Sequence, residues 1–221
     1  MNDPSGLEFA FQEAPMQATK TQRKQPVQKR SQITCDAIVE ATIQVLLRDG
    51  AARLTTTRVA ERAGVSVGTL YQYYPNKSAL IEAVRARYFG LMSAAVQKII
   101  GQGTDENLEQ VMDQALTAVI EMKRQNLPLS RALAELPGDP DQPDFAAEVV
   151  GHFAEFILPL ISPDAPPTDA QRSHALATMA ALEGLLSYAV KNAPDWLGQP
   201  WFLARSKALA HSGLSDPPTN Y

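Results

Sequence analysis

The sequence predicts an all-α protein of 221 residues, with a small three-helix unit near the N-terminus and a larger helical body after it. Three observations carry this prediction. Apolar residues recur at helical spacing from about residue 31 to about residue 212, which gathers them on one face of each segment. Capping residues, glycines and prolines stand where the periodic segments begin and end. No stretch alternates apolar and polar residues as a half-buried strand does, and no segment repeats.

Residues 1–30 are rich in Gln, Thr, Pro and Lys without a sustained period, and read as a flexible arm. Order is expected to begin near Ser31, an N-cap residue type. Ile38, Ala41, Val45 and Leu46 then share a helical face, and Gly50 is the stop. Thr55 can cap a short second helix through Arg62, with Val59, Ala60 and Ala63 inward. Ser66 can cap a third helix from Val67 to Tyr74, which Pro75 ends. Asn76 can cap a long fourth helix from Lys77 towards Ile100.

The body continues in the same way. Gly101 to Thr104 separates the fourth helix from another at about 105–125, and Pro128 can start a short one through Leu136. Residues 137–143, PGDPDQP, form a loop. Further helices are expected at roughly 144–161, 168–192 and 199–212, divided by Pro163, Pro166 and Pro167 and then by Pro194. The resulting domain plan is an arm at 1–30, a three-helix unit at 31–78, a body at 79–213 and a tail at 214–221.

With 45% hydrophobic and 20% charged residues, the composition is that of an ordinary globular protein. No apolar run approaches the ~20 residues that span a bilayer, and no signal-peptide core opens the chain, so a cytoplasmic location without membrane contact is expected. The single cysteine, Cys35, excludes an intrachain disulfide. Beside Asp36 on the first helix it has no cause for a lowered pKa, so it reads as inert.

The net charge of −4 is unevenly spread. Residues 1–77 hold ten Lys/Arg against seven Asp/Glu, a net +3, while residues 78–221 hold ten against seventeen, a net −7. Lys20, Arg23, Lys24, Lys29 and Arg30 form a run with no acid between Glu13 and Asp36. A basic end facing a polyanion and an acidic body facing solvent explain this asymmetry; a solvated tail would show the same run.

The densest motif is VAERAGVSVGTLYQYYPNKSAL, residues 59–80. Gly64 to Gly68 matches the G-x-S-x-G pattern of a hydrolase nucleophile, which needs a β-strand leading into the serine. Here VAERA precedes it with helix composition. His152, His174 and His211 lie in unrelated segments, with no i, i+4 pair and no neighbouring Cys, so neither a Ser66 hydrolase nor a metal or cofactor site is expected. A helix-turn-helix explains each residue instead. Ala60 is small where two helices cross, Gly64 can adopt the positive φ of a tight turn, and Val65 and Leu70 lock the second helix on the first. Ser66 caps the third helix and leaves its electropositive N-terminus close to phosphate. Gly68 fits either a close backbone approach to a base pair or a tolerated first-turn glycine.

The run LTTTRVAERAGVSVGTLYQYYPNKSALIEAV resembles the DNA-binding domain of the TetR family (TetR/AcrR-type) of bacterial transcriptional regulators, and Gln28 to Leu47 resembles that family's first helix. The likeness covers roughly residues 28–90; the body resembles the family only in its helical layout. The resemblance implies that Val67, Gly68, Thr69 and Gln72 face base edges in the major groove of double-stranded DNA. It implies a base contact for Thr57, and phosphate contacts for Tyr71, Tyr73 and Lys77. Thr55 caps the second helix against the backbone, Ser66 caps the third, and Tyr74 belongs to the core. Arg58 departs from the pattern, because an acid often stands there to complete a capping box; it fits a phosphate contact or a solvated side chain. With Val67 and Gly68 lacking hydrogen-bonding side chains, readout leans on thymine methyls, Gln72 and Thr57, and affinity on salt-sensitive phosphate contacts. The basic arm can add backbone or minor-groove contacts.

The same resemblance implies a homodimer on a palindromic operator, paired through the helices at about 168–192 and 199–212. Ala175, Met179, Leu182, Leu186 and Ala189 make an apolar stripe there, and Ala180, Ala181, Gly184 and Ser187 add small residues that allow close approach. It also implies an effector pocket in the body, for which Tyr88, Met92, Met112, Val119, His152, Phe153, Phe156, Met179, Glu183 and Tyr188 are candidates; such residues at helical spacing are also ordinary core. The function expected is a repressor released from its operator by a small, largely apolar ligand. The ligand would pack against the fourth helix and favour a spacing of the reading heads that no longer fits. An activator, or a regulator controlled by a protein partner, is the alternative on the same fold.

Overall fold

The structure is a computed structural model that describes residues 29–102, 107–136, 144–162 and 164–213. The arm expected over 1–30, apart from its last two residues, and the tail expected over 214–221 lie outside the described residues. Among the described residues nine α-helices follow one another without a strand: α1 (Lys29–Asp49), α2 (Thr56–Ala63), α3 (Val67–Tyr73), α4 (Lys77–Gln102), α5 (Leu108–Gln125), α6 (Leu127–Ala134), α7 (Phe145–Ile161), α8 (Asp169–Asn192) and α9 (Pro200–Ser212). Two short 3-10 turns, Ala51–Arg53 and Pro194–Gly198, were not expected from periodicity, which cannot register in so few residues. α1 already includes Lys29 and Arg30, both good helix formers, so Ser31 lies inside its first turn and does not cap it.

Local chemistry accounts for most of the other helix starts. Asn76 Oδ1 accepts from the Ala79 N–H at 2.8 Å and opens α4. Asn107 with Gln110, and Thr168 with Gln171, form reciprocal capping boxes at α5 and α8. Gly50 at φ 77° and Gly64 at φ 68° are the positive-φ residues of the described chain, and each turns the backbone out of a helix.

The buried apolar residues form two cores. The first joins α1, α2, α3 and the start of α4 through Ile38, Val39, Val59, Leu70, Leu80 and Val84. Leu129 and Leu133 of α6, and Leu136 just after it, are members of this same core, so the short helix far along the chain closes the head from below. The second core joins α5, α7, α8 and α9, with Leu116, Ile157, Leu182, Leu186 and Phe202 among its members. α4 serves both ends: Leu80, Val84 and Tyr88 pack in the head, and Met92 and Val96 line the cavity of the body.

Polar contacts tie the body helices together. Asp113 of α5 accepts from Lys207 Nζ at 3.1 Å and pairs with His211 Nε2 at 2.8 Å, both on α9. Gly213, at the end of α9, sits so close to α8 that a Cβ there would come within 2.7 Å of the Thr178 side chain. No helix of the described residues is long and apolar enough to cross a membrane.

Candidate nucleic-acid interface

The reading head is built by three local devices. The Thr55 side chain accepts from the Arg58 N–H at 3.3 Å and starts α2. At the other end of α2 the Val65 N–H donates to the Ala60 carbonyl at 3.0 Å, and Gly64 takes the left-handed conformation that lets the chain turn at once into the next helix. Ser66 Oγ then accepts from the Thr69 N–H at 2.9 Å and lies 2.8 Å from Thr69 Oγ1. α3 is thereby anchored by Leu70 in the core, while Val67, Gly68, Tyr71 and Gln72 stay exposed.

The expected contact residues divide by position. Thr55, Thr57, Arg58, Ser66, Val67, Gly68, Tyr71 and Gln72 are exposed, and Thr69 and Lys77 are half-buried. The Tyr71 hydroxyl lies 3.1 Å from Thr56 Oγ1, which fixes the ring across the gap between α2 and α3. Tyr73 differs from the rest of the set. Two residues on a helix is a little over half a turn, so its ring points away from Tyr71 and packs in the core with only 7% of its surface exposed. Tyr74 is buried beside it at 1% exposure, and desolvation pushes its phenol pKa up.

Charge on this face is partly tied within the protein. Arg58 Nη1 approaches Asp49 Oδ2 at 3.4 Å, and Arg48 forms a two-point pair with the same carboxylate. The hydrogen bond from Arg48 holds Asp49 below the usual carboxylate pKa. Lys77 Nζ donates to the Ala51 carbonyl and joins the start of α4 to the 3-10 turn. Arg62 Nε donates to Gln44 Oε1 at 2.6 Å and clamps α2 on α1. The ties of Arg58, Lys77 and Arg62 were not readable from local spacing, because each spans nine or more residues and depends on the turn geometry.

Ser66 has no strand before it. Its hydroxyl caps α3, and the histidines are engaged elsewhere: His152 with Ser93 at 3.0 Å, His174 with the Ser212 carbonyl at 2.7 Å, His211 with Asp113. The strand-to-helix context of a nucleophile elbow is replaced by helix, turn, helix.

The body contains a cavity of about 730 Å³, counting its open mouth, between α4, α5, α7 and α8. Met92, Met112, Val119, Phe153, Phe156, Met179 and Glu183, all expected pocket residues, line it. Tyr88, His152 and Tyr188 are outside its lining. Tyr88 hydrogen-bonds Ser130 at 2.6 Å under the head, and burial pushes its phenol up to about 12. His152 lies against Phe89, Phe153 and Phe156 behind the wall, where desolvation lowers its pKa. Tyr188 is 53% exposed and packs on Trp196. Val96 and Ile100, one and two turns beyond Met92, complete the α4 side of the wall and follow from the same i, i+4 spacing.

Residues 38–84 match the family model described as bacterial regulatory proteins, tetR family. The chain is 32% identical over 123 residues to the nucleoid occlusion factor SlmA of Actinobacillus pleuropneumoniae serotype 5b, a match that spans 53% of this chain and 56% of that protein. It is 31% identical over 136 residues to the HTH-type transcriptional repressor KstR of Rhodococcus jostii, spanning 61% and 62%. The chain thus covers less than two thirds of either relative. Two crystal structures share the fold: a TetR-family transcriptional regulator from Streptomyces coelicolor, with TM-score 0.66, 23% identity and coverage of 84% of this chain and 97% of that one; and Thermus thermophilus FadR in complex with lauroyl-CoA, with TM-score 0.62, 18% identity and coverage of 85% and 96%. A capped, exposed α3 on a three-helix head and a larger helical body share the fold of these solved regulators, and residues 38–84 of the head match the family model of tetR-family bacterial regulatory proteins.

Proposed function

We propose that this protein is a homodimeric transcriptional repressor, working in the cytoplasm on nucleoid DNA, that leaves a palindromic operator when a small, largely apolar ligand enters the body. The observation that carries the reading is the exposed face of α3. Val67, Gly68 and Gln72 are exposed there and make no contact that the head's own fold requires, on a helix whose free N–H end is electropositive. Thr57 and Tyr71 flank this surface, where a duplex would present base edges and phosphates.

Dimerisation is supported by an exposed, largely apolar face, which also carries Arg205 of α9. On α8, Leu176, Ala177, Ala180, Ala181, Gly184 and Tyr188 are exposed, and on α9 Trp201, Ala204 and Ala208. Small residues flanked by large apolar ones suit close helix packing against a second copy, while the stripe of Ala175, Met179, Leu182, Leu186 and Ala189 is buried in the protomer's own core. Ligand control is supported by the cavity and by α4, whose Met92 and Val96 touch it while Leu80 and Val84 hold the head. The solved Thermus thermophilus FadR, which shares the fold, is in complex with lauroyl-CoA, a ligand with a long apolar chain.

The test is a mobility shift of the purified protein on DNA flanking its own gene, across a salt series, with a reporter assay for the sign of regulation. Sequence-selective binding that weakens steeply with salt, and reporter expression that rises when the protein is removed, support the reading. Activation by the protein, or binding without selectivity, contradicts it.

A further inference from the structure

Glu183 is the one polar residue among the described residues that line the cavity. It projects from the middle of α8, and its Oε2 faces Lys123 Nζ of α5 at 3.7 Å, with side-chain exposures of 23% for Glu183 and 9% for Lys123. Among the described residues no donor reaches the other oxygen, Oε1. The site is therefore an apolar wall holding an ion pair of zero net charge, with one carboxylate oxygen that accepts no hydrogen bond from the described residues.

Each class of ligand head meets that arrangement differently. A carboxylate or phosphate would stand against a carboxylate, since Lys123 lies behind Glu183 and is not part of the lining. An ammonium could donate to Oε1, but it would set a second cation against the one carboxylate and leave a net positive charge in the apolar cavity. An ester, ether or thioester has no hydrogen to offer Oε1. A neutral hydroxyl or amide N–H supplies a donor, keeps the existing ion pair and brings no charge out of water.

We infer that the cavity takes an uncharged amphiphile, an elongated apolar molecule whose single hydroxyl or amide donor hydrogen-bonds to Glu183 Oε1. This rests on the reading of the body as the effector domain and adds to it the chemistry of the effector.

The experiment is calorimetric titration of the full-length protein, without DNA, with four ten-carbon probes: 1-decanol, decyl methyl ether, decanoate and decylamine. Decanol is expected to bind about tenfold tighter than its methyl ether, the effect of one hydrogen bond to a charged acceptor, and tighter than both charged probes. A second protein removes the acceptor without leaving a lone buried charge: the Lys123→Met, Glu183→Leu double variant replaces the ion pair by apolar residues of similar size, a change cores tolerate. In it, decanol and the ether should bind equally well, with an unchanged melting temperature. Equal binding of decanol and ether to the native protein, tighter binding of decanoate or decylamine, or binding of none of the four, overturns the inference. Because DNA is absent, each of those results leaves the operator-binding reading to be decided by its own mobility shift.

Discussion

Two glycines four residues apart separate folding from recognition. Gly64 is at φ 68°, a conformation that costs an L-residue about 1 kcal/mol or more, so Gly64→Ala should lower thermal stability by that order. Gly68 is in ordinary helix, and a Cβ added there meets only Ser66 Oγ at 3.8 Å. Gly68→Ala should therefore melt at the same or a higher temperature, helped by up to about 1 kcal/mol of helix propensity. If α3 lies against base edges, the added methyl should still weaken operator binding about tenfold or more, because the backbone then stands off the groove. Thermal melting and fluorescence anisotropy on a single operator separate the two effects; unchanged affinity for Gly68→Ala would remove this residue from the interface.

His152 provides a residue-scale test by pH. Its imidazole is held among Phe89, Phe153 and Phe156, and burial depresses its folded pKa below 6.5. The unfolded chain thus binds the proton more readily, and stability falls as pH drops through about 6.5, levelling off below the depressed folded value. His152→Gln, which keeps a hydrogen-bonding group for Ser93, should flatten that part of the melting-temperature profile between neutral and mildly acidic pH. A profile unchanged by the substitution would mean that other groups set it. The expectation that His152 faces the ligand came from spacing alone. One turn from Phe156 is correct, but the half-turn that decides wall or lining is set by Ser93 and Phe89 on α4, which no local pattern reveals.

At the scale of elements, most helices were legible because their signals are local. Thr55, Ser66, Asn76 and Thr168 each accept the capping hydrogen bond that their place in the sequence invites. Less legible was which element an apolar face would meet. α6 reads as part of the body, yet Leu129 and Leu133 lie in the head's core while Tyr88 and Ser130 bond across the same junction. Tyr71 and Tyr73 look interchangeable in sequence, and only the helix phase sends one outward and the other inward. The packing of α8 on α9 supplies the prediction here. A Cβ at Gly213 would fall 2.7 Å from Thr178, whose side chain is buried at 6% exposure. Gly213→Ala should cost roughly 1–3 kcal/mol by overpacking. Denaturant unfolding reads this directly, and a cost near zero would show that the end of α9 yields freely.

For the whole molecule, the proposed dimer must hold two reading heads at a spacing that matches successive turns of the duplex, about 34 Å or a multiple of it. The largely apolar face of α8 and α9 is where a second copy would seat. Ala180→Glu places a charge in the middle of that face without touching the buried stripe of the same helix. It should produce a folded monomer by sedimentation, with operator affinity reduced by orders of magnitude because each head then binds alone. A dimer that survives the substitution would move the interface elsewhere. Charge supports the same picture: the reading end is basic and the body acidic, so the protein should approach DNA in one orientation.

The central claim, a dimer that reads a palindrome through α3, is tested most directly by selection of the purified full-length protein on a pool of random duplexes, followed by sequencing of the bound fraction. The account predicts enrichment of one inverted-repeat site with half-sites centred about one helical turn apart or a multiple of it. It also predicts that the enrichment is lost in Gln72→Ala at a salt concentration where the native protein still selects. No enriched sequence from a protein that is folded and dimeric would contradict it.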